Sequence, residues 1–175
     1  MGKLRLFDMV CSIKMCHMIE VMVELDEIDR RILDLLQRDA SLSQRDIAEE
    51  VGLSQNACWR RLKRLQQAGI LLGARMRLNP ALLGLDLTVF VMVRTRNHSM
   101  EWAEAFKRHV ALIPDVVEMH RIGGDWDYML KIVTRGMAGY DRAYRRLISG
   151  VELETVTGYF AMETLLDDRP LDVFG

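Results

Sequence analysis

The sequence predicts an α+β protein of two domains, a small helical one followed by a mixed one, and three observations predict it. Between residues 26 and 69 apolar side chains recur three and four apart, the period of a helix lying on a core. Between residues 85 and 164 runs of strand-like, alternating text take turns with further helical segments. Charge separates the two ends: Ser54 to Asn79 holds six basic residues and no acid, whereas Val151 to Gly175 holds six acids against Arg169 alone, in a chain of formal net charge −1. Such asymmetry suits one end that meets nucleic acid and another that avoids it.

Residues 1–23 show no clean period and carry five of the twelve methionines. Because "MVELDEIDRR" is a natural beginning, this extension reads as a poorly ordered arm or a mis-chosen start. Helix one follows, about Asp26 to Arg38, with Ile28, Ile32, Leu35 and Leu36 at helical spacing and Asp26 as N-cap. "SLSQRDIAEEVG" gives a short second helix: Ser43 caps it, Asp46 stands three residues on, and Gly52 stops it. In "LSQNACWRRLKRLQQAGI" Ser54 caps, Cys58, Leu62 and Leu65 share one face, and Gly69 ends the third helix. Three helices with a tight Gly52-Leu53-Ser54 turn before the last predict a helix-turn-helix, whose second member enters the major groove of DNA. "ILLGARMRLNP" reads as a short hairpin or extended linker with Gly73 at its turn.

The remainder reads strand ("DLTVFVMVRT"), helix ("SMEWAEAFKRHVALI"), strand ("DVVEMHRI"), turn, strand ("WDYMLKIVT"), helix ("GMAGYDRAYRRLIS") and a last strand within Val151 to Met162. That order, βαββαβ, is a ferredoxin-like sandwich with both helices on one side of the sheet. In the first strand Leu87, Val89, Val91 and Val93 point one way and Phe90 and Met92 the other, so the uncovered face is apolar and asks for a partner copy. The expected organisation is thus an extension over 1–23, a helix-turn-helix domain over 24–69, a hairpin or linker over 70–84, a mixed, self-associating domain over 85–164, and an acidic tail over 165–175.

Composition bounds the setting. A chain of 175 residues, half hydrophobic and 28% charged, has apolar material for an ordinary core. Its apolar runs, such as "LTVFVMV", fall far short of the roughly 20 residues of a membrane span. Three cysteines, an odd number, make no disulfide framework. The expected compartment is the cytoplasm.

Two stretches carry chemistry. In the third helix Arg60, Arg61, Lys63 and Arg64 have no acid four residues away to pair with, so they read either as a solvated face or as a surface for phosphate, and the tri-helical context favours DNA. Ser54, Gln55, Asn56 and Trp59 occupy the first turns, where base edges are read, with Ser43 and Gln44 at the start of helix two beside them; the four basic residues suit phosphate. In "GGDWDYML" the glycines supply positive φ for a turn, and Asp125 and Asp127 are ordinary turn acids, metal ligands, or part of a small-ligand pocket in which glycine amides and a carboxylate hold an amino acid. A dinucleotide fingerprint fits poorly, since no helix follows the glycines. Cys11, Cys16 and His17 are close enough for a metal but lie in the extension, and His98, His109 and His120 are scattered with no nucleophile motif. No catalytic residue, metal site or cofactor is assigned.

These residues resemble one family, the Lrp/AsnC (leucine- and asparagine-responsive, feast/famine) bacterial transcription regulators. "LDEIDRRILDLLQRDASLSQRDIAEEVGLS" is similar to the family's opening helices, "CWRRLKRLQQAGIL" to its recognition helix, "LNPALLGLDL" to its linker and "GGDWDYMLKIV" to its G-D-x-D-Y effector loop. The resemblance covers about Glu24 to Thr164. It implies a winged helix-turn-helix domain joined to an amino-acid-binding domain that dimerises through its sheet and assembles into octamers or similar rings. It also implies an effector site between subunits, which raises Gly123, Gly124, Asp125, Trp126, Asp127, Thr134, Met137 and Tyr159 to pocket residues. "NHSMEW" and "GYFAME" are most similar to a branch that includes cysteine-responsive activators. The expected function is therefore a nucleoid-associated, sequence-specific regulator of amino-acid metabolism or transport genes that answers to a free amino acid. Two rivals remain, an architectural DNA-coating protein and a metabolite-binding enzyme subunit.

Overall fold

The computed structural model describes residues 24–175; the extension, with Cys11, Cys16 and His17, lies outside the described residues. The chain divides into two compact units, one formed by residues 24–76 together with Asp168–Gly175, the other by Arg77–Asp167.

The first unit holds α1 (Glu27–Arg38), α2 (Gln44–Glu50) and α3 (Gln55–Gln67). Each starts where the sequence places a cap. Asp26 and Ser43 form reciprocal capping boxes with Asp29 and Asp46, and Ser54 accepts from the Ala57 N–H, so donors at each helix start are satisfied. Gly52 and Gly69, at φ 71° and 70°, make the left-handed turns that stop the second and third helices. The apolar stripes meet in one core of Ile32, Leu33, Ile47, Ala48, Val51, Cys58 and Leu65. Burial pushes the Cys58 thiol above its usual range, as expected of a small core hydrophobe rather than a reactive site.

The tail does not stay separate. Val173 packs against this core, the Leu171 N–H donates to Gln37 Oε1 at 2.8 Å, Gln37 Nε2 donates to the Leu171 carbonyl at 3.2 Å, and the Arg30 guanidinium donates to the Val173 carbonyl. Beside the acids Asp168 and Asp172, the apolar Leu171 and Val173 decide the packing.

No strand forms over residues 70–80. Of the two expected alternatives, hairpin or extended linker, the linker is what forms, because an isolated two-stranded ribbon with Leu72, Met76 and Leu78 exposed has no surface to pack on. Ala81–Leu83 makes one 3₁₀ turn and Gly84, at φ 72°, ends it.

The second unit runs β1 (Leu87–Arg94), α4 (Met100–Ala111), β2 (Val116–Arg121), β3 (Tyr128–Thr134), α5 (Gly136–Ser149) and β4 (Thr155–Phe160), the predicted ferredoxin-like order. The sheet is antiparallel with strand order β2-β3-β1-β4. Val89, Val91 and Val93, Leu130 and Ile132 point to a core closed by Phe106 and Val110 of α4 and Ala143 and Leu147 of α5. Phe90 and Met92 alternate to the other face, where the register sets Phe90 between Lys131 and Tyr159 and Met92 between Met129 and Thr157.

Candidate DNA interface and effector loop

Helix α3 presents its first turns to solvent. Gln55, Asn56 and Arg60 are exposed, and Trp59 is 48% exposed with Lys63 Nζ 4.8 Å from its ring centroid. That cation–π stack pairs a positive charge with a flat apolar surface on one side of the helix. Gln44 Nε2 donates to the Gln55 carbonyl at 2.9 Å, so the first residue of α2 ties down the start of α3. Ser43 and Ser54 use their hydroxyls on the helix caps.

The four basic residues fall into two pairs. Among the described residues Arg60 and Lys63 have no carboxylate partner. Arg61 Nη1 instead lies 2.6 Å from Asp26 Oδ2 and 2.9 Å from Asp29 Oδ1, and the Arg64 guanidinium bonds Asp29 Oδ2. The acids absent from the helix are supplied by α1. The Asp29 N–H and then the Arg61 guanidinium hold the Asp26 carboxyl below the usual carboxylate range. Asp29 is the residue that sequence reasoning missed, yet it leaves a signal. With Leu25, Ile32, Leu33 and Leu36 it falls on the inward track of α1, and a charge on an apolar stripe requires a partner.

The second stretch, Ile122 to Asp127, is the β2–β3 turn. Gly124 takes φ 118°, which only glycine adopts easily; Gly123 does not need positive φ. The Ile122 N–H bonds the Asp127 carbonyl at 2.9 Å and the Asp127 N–H bonds the Val93 carbonyl at 3.0 Å, pinning the loop to β1. Asp127 Oδ2 accepts the Thr95 N–H at 2.8 Å and its Oδ1 stands 3.7 Å from His98 Nδ1, so this carboxylate is committed to its own chain. Asp125 is exposed, and among the described residues only its carbonyl is used, by Arg94 Nε at 2.8 Å, while the Arg94 guanidinium lies 5.0 Å from the Trp126 ring centroid. Thr95, His98 and Trp102, with Arg96, Glu152 and Glu154, line an adjoining cavity of about 480 Å³. Trp102 Nε1 is buried without a hydrogen-bond partner among the described residues.

The other expected pocket residues are elsewhere in this chain. Thr134 ends β3 six residues from Tyr128, about 20 Å away at strand rise. It is buried, and its hydroxyl donates to Asp115 Oδ1 at 2.8 Å. Met137 follows it on α5, and Tyr159 on β4 pairs with Phe90. One chain thus does not bring Thr134, Met137 and Tyr159 to the Gly123–Asp127 loop. The spacing of six residues along the strand read from "WDYMLKIVT" already separates Thr134 from the loop; what the sequence hides is where Tyr159 of β4 stands in the sheet.

Comparison with known proteins follows the same division. Residues 25–71 match the winged helix-turn-helix DNA-binding model, and residues 88–171 match the Lrp/AsnC ligand binding domain. The chain is 44% identical over 142 residues to the DNA-binding transcriptional activator DecR of Escherichia coli, covering 81% of this chain and 93% of that one. The chain belongs to the Lrp/AsnC family of transcriptional regulators. It is also 42% identical over 142 residues to the glutamate uptake regulatory protein of Zymomonas mobilis, covering 81% and 87% of the two chains. An AsnC family transcriptional regulator from Agrobacterium tumefaciens superposes with a TM-score of 0.81 at 39% identity, over 86% of this chain and 98% of that one. A Neisseria meningitidis transcriptional regulator solved as an L-Met complex superposes with a TM-score of 0.79 at 28% identity, over 86% and 97%. As an Lrp/AsnC protein the chain is a DNA-binding transcriptional regulator with a ligand-binding domain, not an enzyme. No group of three His, Cys, Asp or Glu among the described residues is placed to hold a metal, and no helix there is long and apolar enough to cross a membrane.

Proposed function

We propose that this regulator reads DNA with the exposed side of α3 and senses a free amino acid at the Gly123–Asp127 loop, acting on the nucleoid in the cytoplasm. The observation that carries the reading is the polar, unpaired first half of α3, with Gln55, Asn56 and Trp59 toward base edges and Arg60 and Lys63 toward phosphates. In the loop, the N–H groups of Gly123 and Gly124 make no hydrogen bond among the described residues and suit a carboxylate, while the exposed Asp125 suits an ammonium. Those groups recognise what all amino acids share. Selectivity then falls to Trp126 and to the exposed Met137 and Tyr159 of a neighbouring copy, which fits their distance from the loop within one chain, while the buried Thr134 has no surface to offer a ligand. Self-association runs through the uncovered sheet face around Phe90, Met92, Met129 and Tyr159, giving dimers and, from dimers, an octamer. The L-Met complex of the Neisseria relative supports an amino-acid effector, and cysteine, leucine, methionine and glutamate are the first to try.

The test is selection of duplexes from a random-sequence pool, followed by titration of the winner against scrambled DNA. A preference of at least about 10³ is expected of a specific regulator; equal binding to all sequences would leave only an architectural role.

A further inference from the structure

Three carboxylate bonds set Arg61 and Arg64 apart from the other two cations of α3, and two of the three converge on one residue that no DNA can reach. Asp29 is 0% exposed. Its Oδ1 accepts from Arg61, its Oδ2 accepts from Arg64, and Oδ2 also takes the Asp26 N–H at 3.2 Å, closing the first turn of α1. Asp26 works twice as well, accepting the Asp29 N–H at 2.8 Å on Oδ1 and Arg61 at 2.6 Å on Oδ2. The start of α1 and the middle of α3 are therefore one hydrogen-bonded assembly.

The helix geometry agrees. At 100° per residue, Asn56, Lys63 and Arg60 spread over the side opposite the buried Cys58 and Leu65, Trp59 and Arg64 fall on the two flanks, and Arg61 falls next to the buried stripe. We propose that Asp29, assisted by Asp26, is the positioning residue of the recognition helix: it withholds Arg61 and Arg64 from the DNA phosphates and uses them to fix the rotation of α3 about its axis. Rotation matters because an error of one residue's angle would replace Asn56 and Lys63 at the groove by neighbours of different chemistry. A forked guanidinium shared between two carboxylates resists such turning better than apolar packing, which has no direction. The inference rests on the DNA-reading role of α3 given above.

The test is a set of anisotropy titrations of the full chain on its selected duplex and on scrambled DNA at several salt concentrations. Arg60→Ala and Lys63→Ala should each flatten the plot of log affinity against log salt by about 0.9 for each phosphate no longer neutralised. Arg61→Ala and Arg64→Ala should leave that slope unchanged while reducing the ratio of specific to non-specific affinity by about tenfold or more, the loss typical of a misread base pair. Asp29→Asn should do the same, although it makes the protein more positive and by charge alone would tighten binding everywhere. If Asp29→Asn fails to fold, Asp26→Asn removes one bridge of Arg61 and should show the same pattern more weakly. Equal loss of affinity on both DNAs would mean that the variants only lower the folded fraction, and would overturn the proposal. Slopes that fall for Arg61→Ala or Arg64→Ala as they do for Arg60→Ala would overturn it too. Slopes unmoved by all four changes would instead remove the DNA-reading assignment of α3.

Discussion

Arg61 of the third helix and Asp29 of the first are joined at 2.9 Å, and the aspartate is wholly buried while the arginine keeps a quarter of its side chain in water. The pair is asymmetric in consequence. Loss of Arg61 leaves a buried carboxylate with Arg64 alone, whereas loss of Asp29 leaves two arginines that can turn outward. Arg61→Met is expected to destabilise the first unit by about 2 to 3 kcal/mol, in the range for a charged hydrogen bond left unmade, and by more than Arg64→Met. Urea unfolding followed by Trp59 fluorescence measures both; an equal or reversed order would mean that Arg64 is the main partner.

The same cluster sets an acid limit. Asp26 titrates lower when folded than unfolded, so its contribution is complete above the unfolded carboxylate value, near 3.9, and fades as pH falls through the lower folded value. The side chain is half exposed, so screening keeps the effect modest. Melting temperature of the wild type should drop more steeply below about pH 4 than that of Asp26→Asn. Parallel curves would mean that the cap and the arginine do not favour the charged form.

Removal of the tail tests its packing. A chain ending at Asp168 loses Val173 from the core and the two bonds between Gln37 and Leu171. A cost of about 1 kcal/mol is expected, which lowers the melting temperature of a unit this small by roughly 4 to 8 °C. No change would show that the segment does not rest on α1 in solution.

Much of the fold is legible in the sequence, and the reasons differ by element. Caps at Asp26, Ser43, Ser54 and Ser99 and the stops at Gly52 and Gly69 are local chemistry, so a few residues reveal them, as they do the alternation that sends Val89, Val91 and Val93 inward. A glycine between apolar residues leaves both a hairpin and an extended linker open over 70–80, because pairing depends on a surface to pack on, which local text does not record. Tertiary pairing is equally hidden: nothing within α3 says that Arg61 and Arg64 are spoken for, and only the charge on the inward track of α1 hints at it. In the loop, glycine and aspartate announce a turn, but which of the two carboxylates is committed depends on Thr95 and His98, residues more than 25 positions away.

That distinction can be measured. Asp125→Asn should abolish amino-acid binding without altering the melting curve, while Asp127→Ala, by unpinning the loop from Thr95, should weaken binding and lower the stability of the second unit by about 1 kcal/mol. Calorimetric titration paired with thermal melts reads the two effects. Undiminished binding by Asp125→Asn would make Asp127, or neither, the ammonium partner.

Association should depend on the open face of the sheet. Phe90→Glu places a charge between Lys131 and Tyr159 and is expected to lower the oligomer mass in light scattering while leaving the helical circular dichroism intact. An unchanged mass would move the interface elsewhere.

The central claim is that one amino acid, bound at the Gly123–Asp127 loop, changes how this protein holds DNA. Its most direct test is the anisotropy midpoint on the selected duplex, measured at fixed salt with each of the twenty amino acids in turn. At least one should shift the midpoint by about 5-fold or more, the lower end of ordinary allosteric coupling, and Asp125→Asn should abolish that shift while binding DNA as before. A salt-dependent midpoint that no amino acid moves would contradict the account.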